Sequence, residues 1–175
     1  YAESKILAEM LCHEWSKTEK FKISIARPFN HIGPGQSERF AIANFGCQIA
    51  KIKLGLIEPT LLAGNIDTTR DFTDVRDIVS AYEKLLNYGK NGEIYNICSG
   101  MEYSIRSIIN RLCELGDVKV NIQTDLNRTL STEQNRVRGD NTKIVSETNW
   151  SNMYSIDDTL LDILEYFTDK LKSKK

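Results

Sequence analysis

The sequence predicts an α/β fold, because segments with a helical pattern and segments with a strand-like pattern alternate along its 175 residues. The helical segments carry apolar residues three and four positions apart, and the strand-like segments are short apolar or alternating runs. Apolar residues make up 41% and charged residues 27% of the chain, which is the composition of a folded globular protein rather than a disordered one. The length suits one structural unit with a continuous core.

Helical periodicity is found in 1–15, 39–54, 75–88, 105–115 and 157–171. Polar residues that typically cap a helix precede three of these segments: Asp74, Ser104 and Ser155. Asp158 completes a capping box with the last of them. Glycines are expected to end three helices: Gly55, Gly89 and Gly116. The spacing within the third helix predicts one buried face, formed by Ile78, Val79, Tyr82, Leu85 and Leu86.

Extended structure is predicted for 22–29, 60–63, 93–98 and 118–122. The last of these runs alternates between apolar and polar residues, so it should form a half-buried strand. The stretch 124–140 is polar and rich in arginine and asparagine, and it is predicted to be a loop that a ligand or a partner orders fully. The strands are few and short, and we interpret them as part of a larger sheet.

Composition disfavours several classes of function. The formal net charge is -1, so a nucleic-acid partner is not expected. The four cysteines form no C-x-x-C pair and only two histidines are present, so we expect no metal site. No apolar run approaches the roughly 20 residues that span a bilayer, and no export leader opens the chain. These features predict a cytoplasmic protein with no membrane contact and with reduced thiols.

Two local patterns bear on chemistry. Tyr1 and Lys5 lie four positions apart on a predicted helix, so their side chains share one face. A neighbouring ammonium favours the phenolate form, which brings a tyrosine closer to the working range of a general acid or base. The dinucleotide-binding fingerprint G-x-G-x-x-G, in contrast, is missing. Gly33-Pro34-Gly35 does not replace it, because proline has no amide N–H to donate to a phosphate.

Three motifs follow one another along the chain: YAESK at 1–5, ARPFNHIGPGQ at 26–36 and RDFTDVRD at 70–77. Their order and spacing resemble the extended short-chain dehydrogenase/reductases that act on nucleotide sugars, also called the NAD-dependent epimerase/dehydratase family. Segment 30–36 is most similar to the GDP-mannose branch, and there more to GDP-4-keto-6-deoxy-D-mannose reductases than to GDP-mannose 4,6-dehydratases. The similarity extends over essentially the whole chain.

The resemblance implies that this chain is the C-terminal part of a Rossmann-like fold, with the last strands of the parallel sheet and the smaller substrate-binding domain. Residues 1–36 would end the dinucleotide-binding domain and 37–175 would form mainly the nucleotide-sugar lobe, with 70–100 returning to the sheet. The glycines that bind NAD(P), and a third catalytic Ser or Thr, would lie on an N-terminal half outside this chain. The full-length protein would be a homodimer that pairs through helix 1–15.

The resemblance also implies roles for individual residues. Tyr1 would exchange a proton with the oxygen at sugar C4, and Lys5 would hold the nicotinamide ribose and lower the pKa of the tyrosine. The implied cofactor contacts are Tyr1, Lys5, Phe29 and His31. The implied substrate contacts are Asn30, Arg39, Phe40 and Arg70, the last of which would bind the diphosphate. From the residues alone, structural roles stay open: Phe29 as core, Asn30 as a turn residue, and Arg70 as an ion-pair partner of Asp71, Asp74 or Asp77.

One position departs from the family pattern. Relatives have Arg-x-x-Asp/Glu near the end of the long loop, where this chain has Leu130-Ser131-Thr132-Glu133. Diphosphate affinity should be lower, or the substrate different, unless the charge comes from Arg128, Arg136 or Arg138.

The leading hypothesis is that the parent enzyme reduces a GDP-4-keto-6-deoxy hexose with NAD(P)H, this chain alone being inactive. A nucleotide-sugar 4,6-dehydratase or 4-epimerase would reuse Tyr1 and Lys5 with different partners. The third possibility is a non-catalytic module that binds a sugar nucleotide or mediates dimerisation.

Overall fold

The computed structural model describes residues 2–18, 20–124 and 134–173. The helices are α1 (Ala2–Ser16), α2 (Ala41–Lys53), α3 (Val75–Tyr88), α4 (Ile105–Gly116), α5 (Thr142–Thr148) and α6 (Ile156–Lys172). The strands are β1 (Ile25–Pro28), β2 (Asn30–Ile32), β3 (Thr60–Ala63), β4 (Thr69–Arg70), β5 (Phe72–Asp74), β6 (Ile94–Ile97), β7 (Tyr103–Ser104) and β8 (Asn121–Thr124). The predicted α/β class is confirmed. Within the described ranges, no helix is both long and apolar enough to cross a bilayer.

The strands pair mostly in parallel, as expected where helical crossovers join them. β1 pairs with β6, β2 with β5 and β3 with β8 in parallel, whereas β4 and β7 are antiparallel. Only Phe29 separates β1 from β2, so the two pairings follow one another along the same stretch of chain. The register places Asn30 beside Phe72 and Pro28 beside Ile97.

Two groups of buried side chains hold these elements together. The larger group lies among α2, α4, α6 and β3 and includes Phe45, Ile49, Leu61, Leu112, Ile163 and Phe167. The smaller group lies among α3, α5 and β6 and includes Ile78, Leu85, Tyr95, Ile97, Ile144 and Trp150. Each such side chain gains about 1.5–3 kcal/mol from leaving water. The helices that flank the cleft described below are therefore fixed from behind by continuous apolar packing.

The helix ends confirm most of the predicted caps. Ser155 Oγ accepts the Asp158 N–H at 3.1 Å while the Asp158 carboxylate accepts the Ser155 N–H at 3.2 Å, which is the predicted capping box. Asp74 and Ser104 cap α3 and α4 through their side chains. Gly55 follows α2 with a φ of +64°, the left-handed conformation that commonly ends a helix.

Two predicted boundaries at the end of α4 were wrong. The strand predicted for 118–122 is displaced to β8, because the Val118 N–H donates 3.0 Å to the Cys113 carbonyl and so belongs to the helix terminus. Gly116 is still helical, and the left-handed position falls on Asp117, whose φ is +52°. Of the loop predicted for 124–140, Thr124 belongs to β8 and residues 125–133 lie outside the described ranges.

Only two of the five residues predicted for the buried face of α3 are buried. Ile78 and Leu85 are buried, but Val79, Tyr82 and Leu86 are 61%, 40% and 82% exposed. The buried positions share one stripe of the helix with Ala81, and that stripe packs against β1 and β2. The exposed side chains lie on the neighbouring stripe, which the spacing of apolar residues alone does not distinguish.

The contact between α2 and α6 depends on a glycine. A Cβ added to Gly46 would lie 2.6 Å from Ile163 Cγ2, closer than packed atoms approach. We expect Gly46→Ala to lower the free energy of unfolding of the full-length protein by about 1–3 kcal/mol, because the two helices must separate. Denaturant titration measures this loss, and Lys53→Ala, an exposed change on the same helix, serves as the control. Equal stability of the two variants would contradict the close approach.

An ion-pair network around one buried carboxylate joins α3 to α6. Arg76 donates to the two oxygens of Asp74 at 2.9 and 2.7 Å and to Asp162 at 2.7 Å, and its guanidinium lies 3.7 Å from the centre of the Tyr154 ring. Asp74 also accepts the Thr159 hydroxyl at 2.8 Å. Burial by itself would raise the pKa of Asp74, but the hydrogen bonds from Arg76 and Thr159 outweigh it and hold that pKa below its ordinary value.

Replacing Arg76 by methionine is expected to lower the free energy of unfolding by about 2 kcal/mol at neutral pH, because a buried carboxylate loses its cation. The pKa of Asp74 is lower in the folded than in the unfolded state. Its contribution to the free energy of unfolding is therefore fully present above the unfolded pKa of about 3.9, and it is lost as the pH falls through the lower folded pKa. The difference between variant and wild type should therefore shrink toward about pH 3. Denaturant titrations at both pH values measure it, with Arg111→Met, which breaks a solvent-exposed pair, as the control. A difference independent of pH would contradict the prediction.

Candidate active site

A cleft of about 1310 Å³ opens where β1 leads into β2, beside β4, β5 and the start of α2. Its wall contains six of the eight predicted site residues: Phe29, Asn30, His31, Arg39, Phe40 and Arg70. The rest of the wall contains apolar side chains, among them Ile42, Phe45, Phe72 and Ile105, and polar ones, among them Gln36, Glu38, Asn44 and Asn65. Residues from three separate parts of the sequence thus meet in one cavity large enough for a sugar nucleotide.

Strand pairing explains how these distant segments meet. Asn30 lies beside Phe72 in the register of β2 and β5, and Arg70 lies two residues earlier on β4. The Phe29 N–H donates 2.9 Å to the Ile97 carbonyl, which fixes the turn between β1 and β2. The cleft therefore forms at the carboxyl end of a parallel strand, where α/β proteins generally place their ligands.

The loop after β2 holds the backbone of the predicted cofactor contacts. Gln36 Nε2 donates 3.0 Å to the His31 carbonyl, and His31 Nδ1 lies 3.2 Å from the Phe29 carbonyl oxygen. Gly33 lies against the first turn of α3, since a Cβ there would be 2.7 Å from Val75 Cγ1. The exposed His31 imidazole is consequently presented to the cleft from β2, whose backbone is fixed by the hydrogen bonds on both sides of it.

Arg39 and Phe40 lie at the rim of the cleft, where α2 begins. Phe40 is the N-cap residue of α2, has no side-chain capping bond and is 58% exposed. The Asn44 amide donates 3.1 Å to the Glu38 carbonyl, which fixes the turn that leads into the helix. The positive end of the helix dipole and the Arg39 guanidinium together make this rim favourable for an anionic ligand.

Arg70 is a half-buried residue of the cleft wall. Its Nη1 donates 2.7 Å to the Thr69 carbonyl, which orients the guanidinium, and Phe72 and Ile105 line the same cavity. A charge in a partly apolar wall attracts an anion more strongly than it does in bulk water, because the local dielectric constant is lower. The planar guanidinium also matches two oxygens of a phosphate at once.

Arg136 and Arg138 do not contribute to the described wall. Arg136 donates to the two oxygens of Glu102 at 2.9 and 2.8 Å, and the Thr69 hydroxyl binds the same carboxylate. These hydrogen bonds lower the pKa of Glu102 to about 2, and those from Arg136 have the largest effect. Arg138 Nε donates 2.7 Å to the Gly100 carbonyl. In the described residues both guanidinium groups therefore bind other parts of the protein, Glu102 and the Gly100 carbonyl, and not the cleft wall.

The remaining predicted residues are not placed at the cleft. Lys5 has an exposed side chain on α1 and does not belong to the described wall. The ion pair of Glu9 with Arg27, at 2.7 Å, ties the same helix to β1. Tyr1 lies outside the described residues, as do Arg128 and Leu130.

Two residues of this region have structural roles that were not predicted from the sequence. Gln36 donates to the backbone carbonyl of His31, and Asp71 is fully buried beside Arg70. A usable signal existed for Asp71, since a carboxylate next to the buried residues Phe72 and Thr73 must find hydrogen-bond donors in the fold.

Sequence comparison gives a consistent result. The family model described as GDP-mannose 4,6 dehydratase matches residues 1–163. The chain is 42% identical over 174 residues to the GDP-6-deoxy-D-mannose reductase of Pseudomonas aeruginosa, an alignment that covers 99% of this chain and 57% of the reductase.

Solved structures extend the comparison to the fold. RMD from Pseudomonas aeruginosa, solved with NADPH, has a TM-score of 0.92 at 44% identity and covers 97% of this chain and 56% of its own. A mutant UDP-glucuronic acid 4-epimerase from Bacillus cereus, solved with UDP-4-deoxy-4-fluoro-glucuronic acid and NAD, has a TM-score of 0.77 at 27% identity, with 93% and 50% covered. The chain spans about half the length of these proteins. It belongs to the GDP-mannose 4,6-dehydratase family, among the Rossmann-like extended short-chain dehydrogenase/reductases that modify nucleotide sugars.

Proposed function

We propose that the full-length protein reduces a GDP-4-keto-6-deoxy hexose with NAD(P)H, and that this chain supplies its Tyr/Lys pair and its substrate-binding wall. The meeting of six predicted site residues in one cleft supports this most directly. The 42% identity to a GDP-6-deoxy-D-mannose reductase favours the reductase over the other activities of the family.

We also propose that residues 1–36 end the dinucleotide-binding domain and that 37–175 form mainly the substrate lobe, with 70–100 returning to the sheet. The parallel pairing of β1 with β6 supports that return.

The part of the cleft next to β1 fits the nicotinamide end of a dinucleotide. The Phe29 ring packs on the backbone of Gly139, where a Cβ would lie 3.0 Å from Phe29 Cε2, so the ring has a fixed position in the wall. His31 presents an imidazole N–H donor or acceptor beside it. NAD(P)H, when bound, supplies the hydride. The NADPH and NAD in the two structural relatives support this cofactor class.

The side chains of this chain would then act on the sugar nucleotide in distinct ways. Tyr1 donates the proton that the C4 oxygen gains on reduction, and the positive charge of Lys5 stabilises the phenolate left behind. Arg70 binds the diphosphate and so sets where the sugar lies along the cleft. The Asn30 amide hydrogen-bonds the sugar. Arg39 and Phe40 bind the nucleotide at the rim formed by the start of α2.

Turnover by the full-length protein tests the proposal. With NADPH and a GDP-4-keto-6-deoxy hexose, we expect NADPH consumption and a GDP-6-deoxy hexose product, with UDP and dTDP ketosugars as the specificity controls. Release of a 4-keto sugar from GDP-mannose would instead identify a dehydratase, and interconversion of two C4 epimers without net oxidation would identify an epimerase.

The isolated 175-residue chain tests the remaining alternative, a non-catalytic binding module. We expect it to show no turnover with added NADPH, because the dinucleotide fingerprint is missing from its sequence. Reduction of the ketosugar by this chain alone would show that the incomplete-enzyme interpretation is wrong.

We propose further that the full-length protein forms a homodimer through α1. The apolar side chains of this helix are 52–62% exposed: Ile6, Leu7, Met10, Leu11 and Trp15. Soluble proteins seldom leave a patch of this kind uncovered. Analytical ultracentrifugation of the full-length protein checks the proposal, and a monomer at all concentrations would contradict it.

A further inference from the structure

Asp71 is a fully buried carboxylate that lies beside the cleft without lining it. Its Oδ1 accepts the Ser99 N–H at 2.8 Å and the Ser99 hydroxyl at 2.7 Å. Its Oδ2 accepts the Gly100 N–H at 2.9 Å and the Gly139 N–H at 3.1 Å. Four donors, three of them backbone amides, satisfy a charge that burial alone would make unfavourable.

These four hydrogen bonds join three segments that are distant in the sequence. One segment carries Asp71 itself between β4 and β5, the second is the turn after β6, and the third leads from the end of the long loop into α5. The last two segments also contact one another, because the Asn141 amide donates 2.9 Å to the Cys98 carbonyl. Asp71 is therefore the point at which the three segments are fixed relative to one another.

The residues next to these hydrogen bonds belong to the proposed site. Arg70 immediately precedes Asp71 and lines the cleft. Gly139, which donates to Asp71, packs so closely that a Cβ would lie 2.3 Å from Cys98 Sγ and 3.0 Å from Phe29 Cε2. The carboxylate thus connects the segment that carries Arg70 to the backbone against which Phe29 packs.

We propose that Asp71 is a positioning residue that fixes Arg70 relative to Phe29, and thereby aligns the diphosphate with the hydride-transfer end of the cleft. The proposal rests on the proposed function, in which Arg70 binds the diphosphate. Asp71 acts through the backbone and does not touch the substrate. Removing the charge of Asp71 is expected to move Arg70 and so to weaken nucleotide binding, although no side chain that contacts the ligand is deleted.

Asp71→Asn is the informative variant, because asparagine has the same shape but turns its NH₂ group toward backbone N–H donors whichever way it is oriented. Asp77→Asn is its matched control. Asp77 is 1% exposed and likewise accepts backbone donors, from Met153 at 3.0 Å and Tyr154 at 3.2 Å, but it does not border the cleft. The two variants should lose similar stability and differ in ligand binding.

The test is isothermal titration of the full-length protein with GDP. We expect Asp71→Asn to weaken GDP binding about tenfold and Asp77→Asn less than about twofold. In an Arg70→Ala background the Asp71 effect should fall below about twofold, because a residue that acts through Arg70 has nothing left to position. Equal effects of Asp71→Asn in both backgrounds, or equal effects of the two asparagine variants, would overturn the positioning role.

Two further measurements keep the proposal decidable. If Asp71→Asn does not fold, Ser99→Ala is used instead, because it removes one of the four donors to the carboxylate. A smaller loss of GDP affinity that vanishes in the Arg70→Ala background supports the proposal. A loss that persists in that background overturns it. Amide hydrogen exchange should accelerate at Gly100 and Gly139 in Asp71→Asn and not in Asp77→Asn, and unchanged exchange overturns the proposal. A wild-type protein that binds no GDP would overturn the proposed function itself.

Discussion

Replacing Tyr1 by phenylalanine is expected to lower kcat of the full-length protein by about 10²-fold to 10⁴-fold, with a small change in KM for the sugar nucleotide. Phenylalanine keeps the ring but has no proton to give to the C4 oxygen, so the loss falls on the chemical step and not on binding. Steady-state measurement of NADPH consumption with a GDP-4-keto-6-deoxy hexose determines both constants.

The control for this variant is Tyr88→Phe, at an exposed tyrosine on α3 that lies outside the described wall of the cleft. It should retain the wild-type kcat. Lys5→Met is expected to reduce kcat in the same direction as Tyr1→Phe, because the phenolate loses its neighbouring positive charge. Near-normal turnover by Tyr1→Phe would show that another group protonates the sugar oxygen.

Substituting Arg70 by alanine is expected to weaken GDP binding by about tenfold to a hundredfold, which corresponds to roughly 1.5–3 kcal/mol for hydrogen bonds to a charged group. Arg39 and Arg70 are the two arginines in the described wall, and the sequence has leucine at position 130, where the family resemblance implies an arginine. Binding of the diphosphate is therefore expected to depend more heavily on Arg70 here than in a protein that also has the second phosphate arginine. Isothermal titration of the full-length protein with GDP measures the loss.

Arg70→Lys distinguishes charge from geometry. Lysine keeps the positive charge but cannot present a planar pair of donors, so its affinity should fall between those of wild type and Arg70→Ala. Arg111→Ala serves as the matched control, because it removes an arginine that pairs with Asp157 and Glu114 away from the cleft. Unchanged GDP affinity in Arg70→Ala would refute its role as the diphosphate anchor.

Five of the six described helices could be predicted because their signals are local, whereas the seven-residue α5 was missed because no side chain caps it. Asp74, Ser104 and Ser155 satisfy backbone donors within three residues of themselves, so the local sequence determines where these three helices begin. β2, β4, β5 and β7 were missed because two or three residues are too few to show alternation. β8 was displaced because its register depends on pairing with β3, some 60 residues earlier.

For the site, motif resemblance identified residues that the fold then gathered into one wall, but it could not indicate what holds them there. From the sequence, Asp71 could be considered only as an ion-pair partner of Arg70, since its hydrogen-bond donors come from the distant residues Ser99, Gly100 and Gly139. The same limit applies to Arg136, whose position near the loop made it a candidate for the phosphate site. Its partner Glu102 directs it elsewhere, and that pairing exists only in three dimensions.

The sequence by itself determined the α/β class, the ends of three capped helices and the chemistry of the candidate residues, because side-chain type and local hydrogen bonding act over a few residues. The tertiary structure decided which strands pair, which stripe of α3 is buried and which arginines face the cleft. Those outcomes depend on contacts between segments that are far apart in the chain. The pairing of β2 with β5 brings Asn30 and Arg70 to one wall, and the buried carboxylate of Asp71 fixes the segments behind that wall.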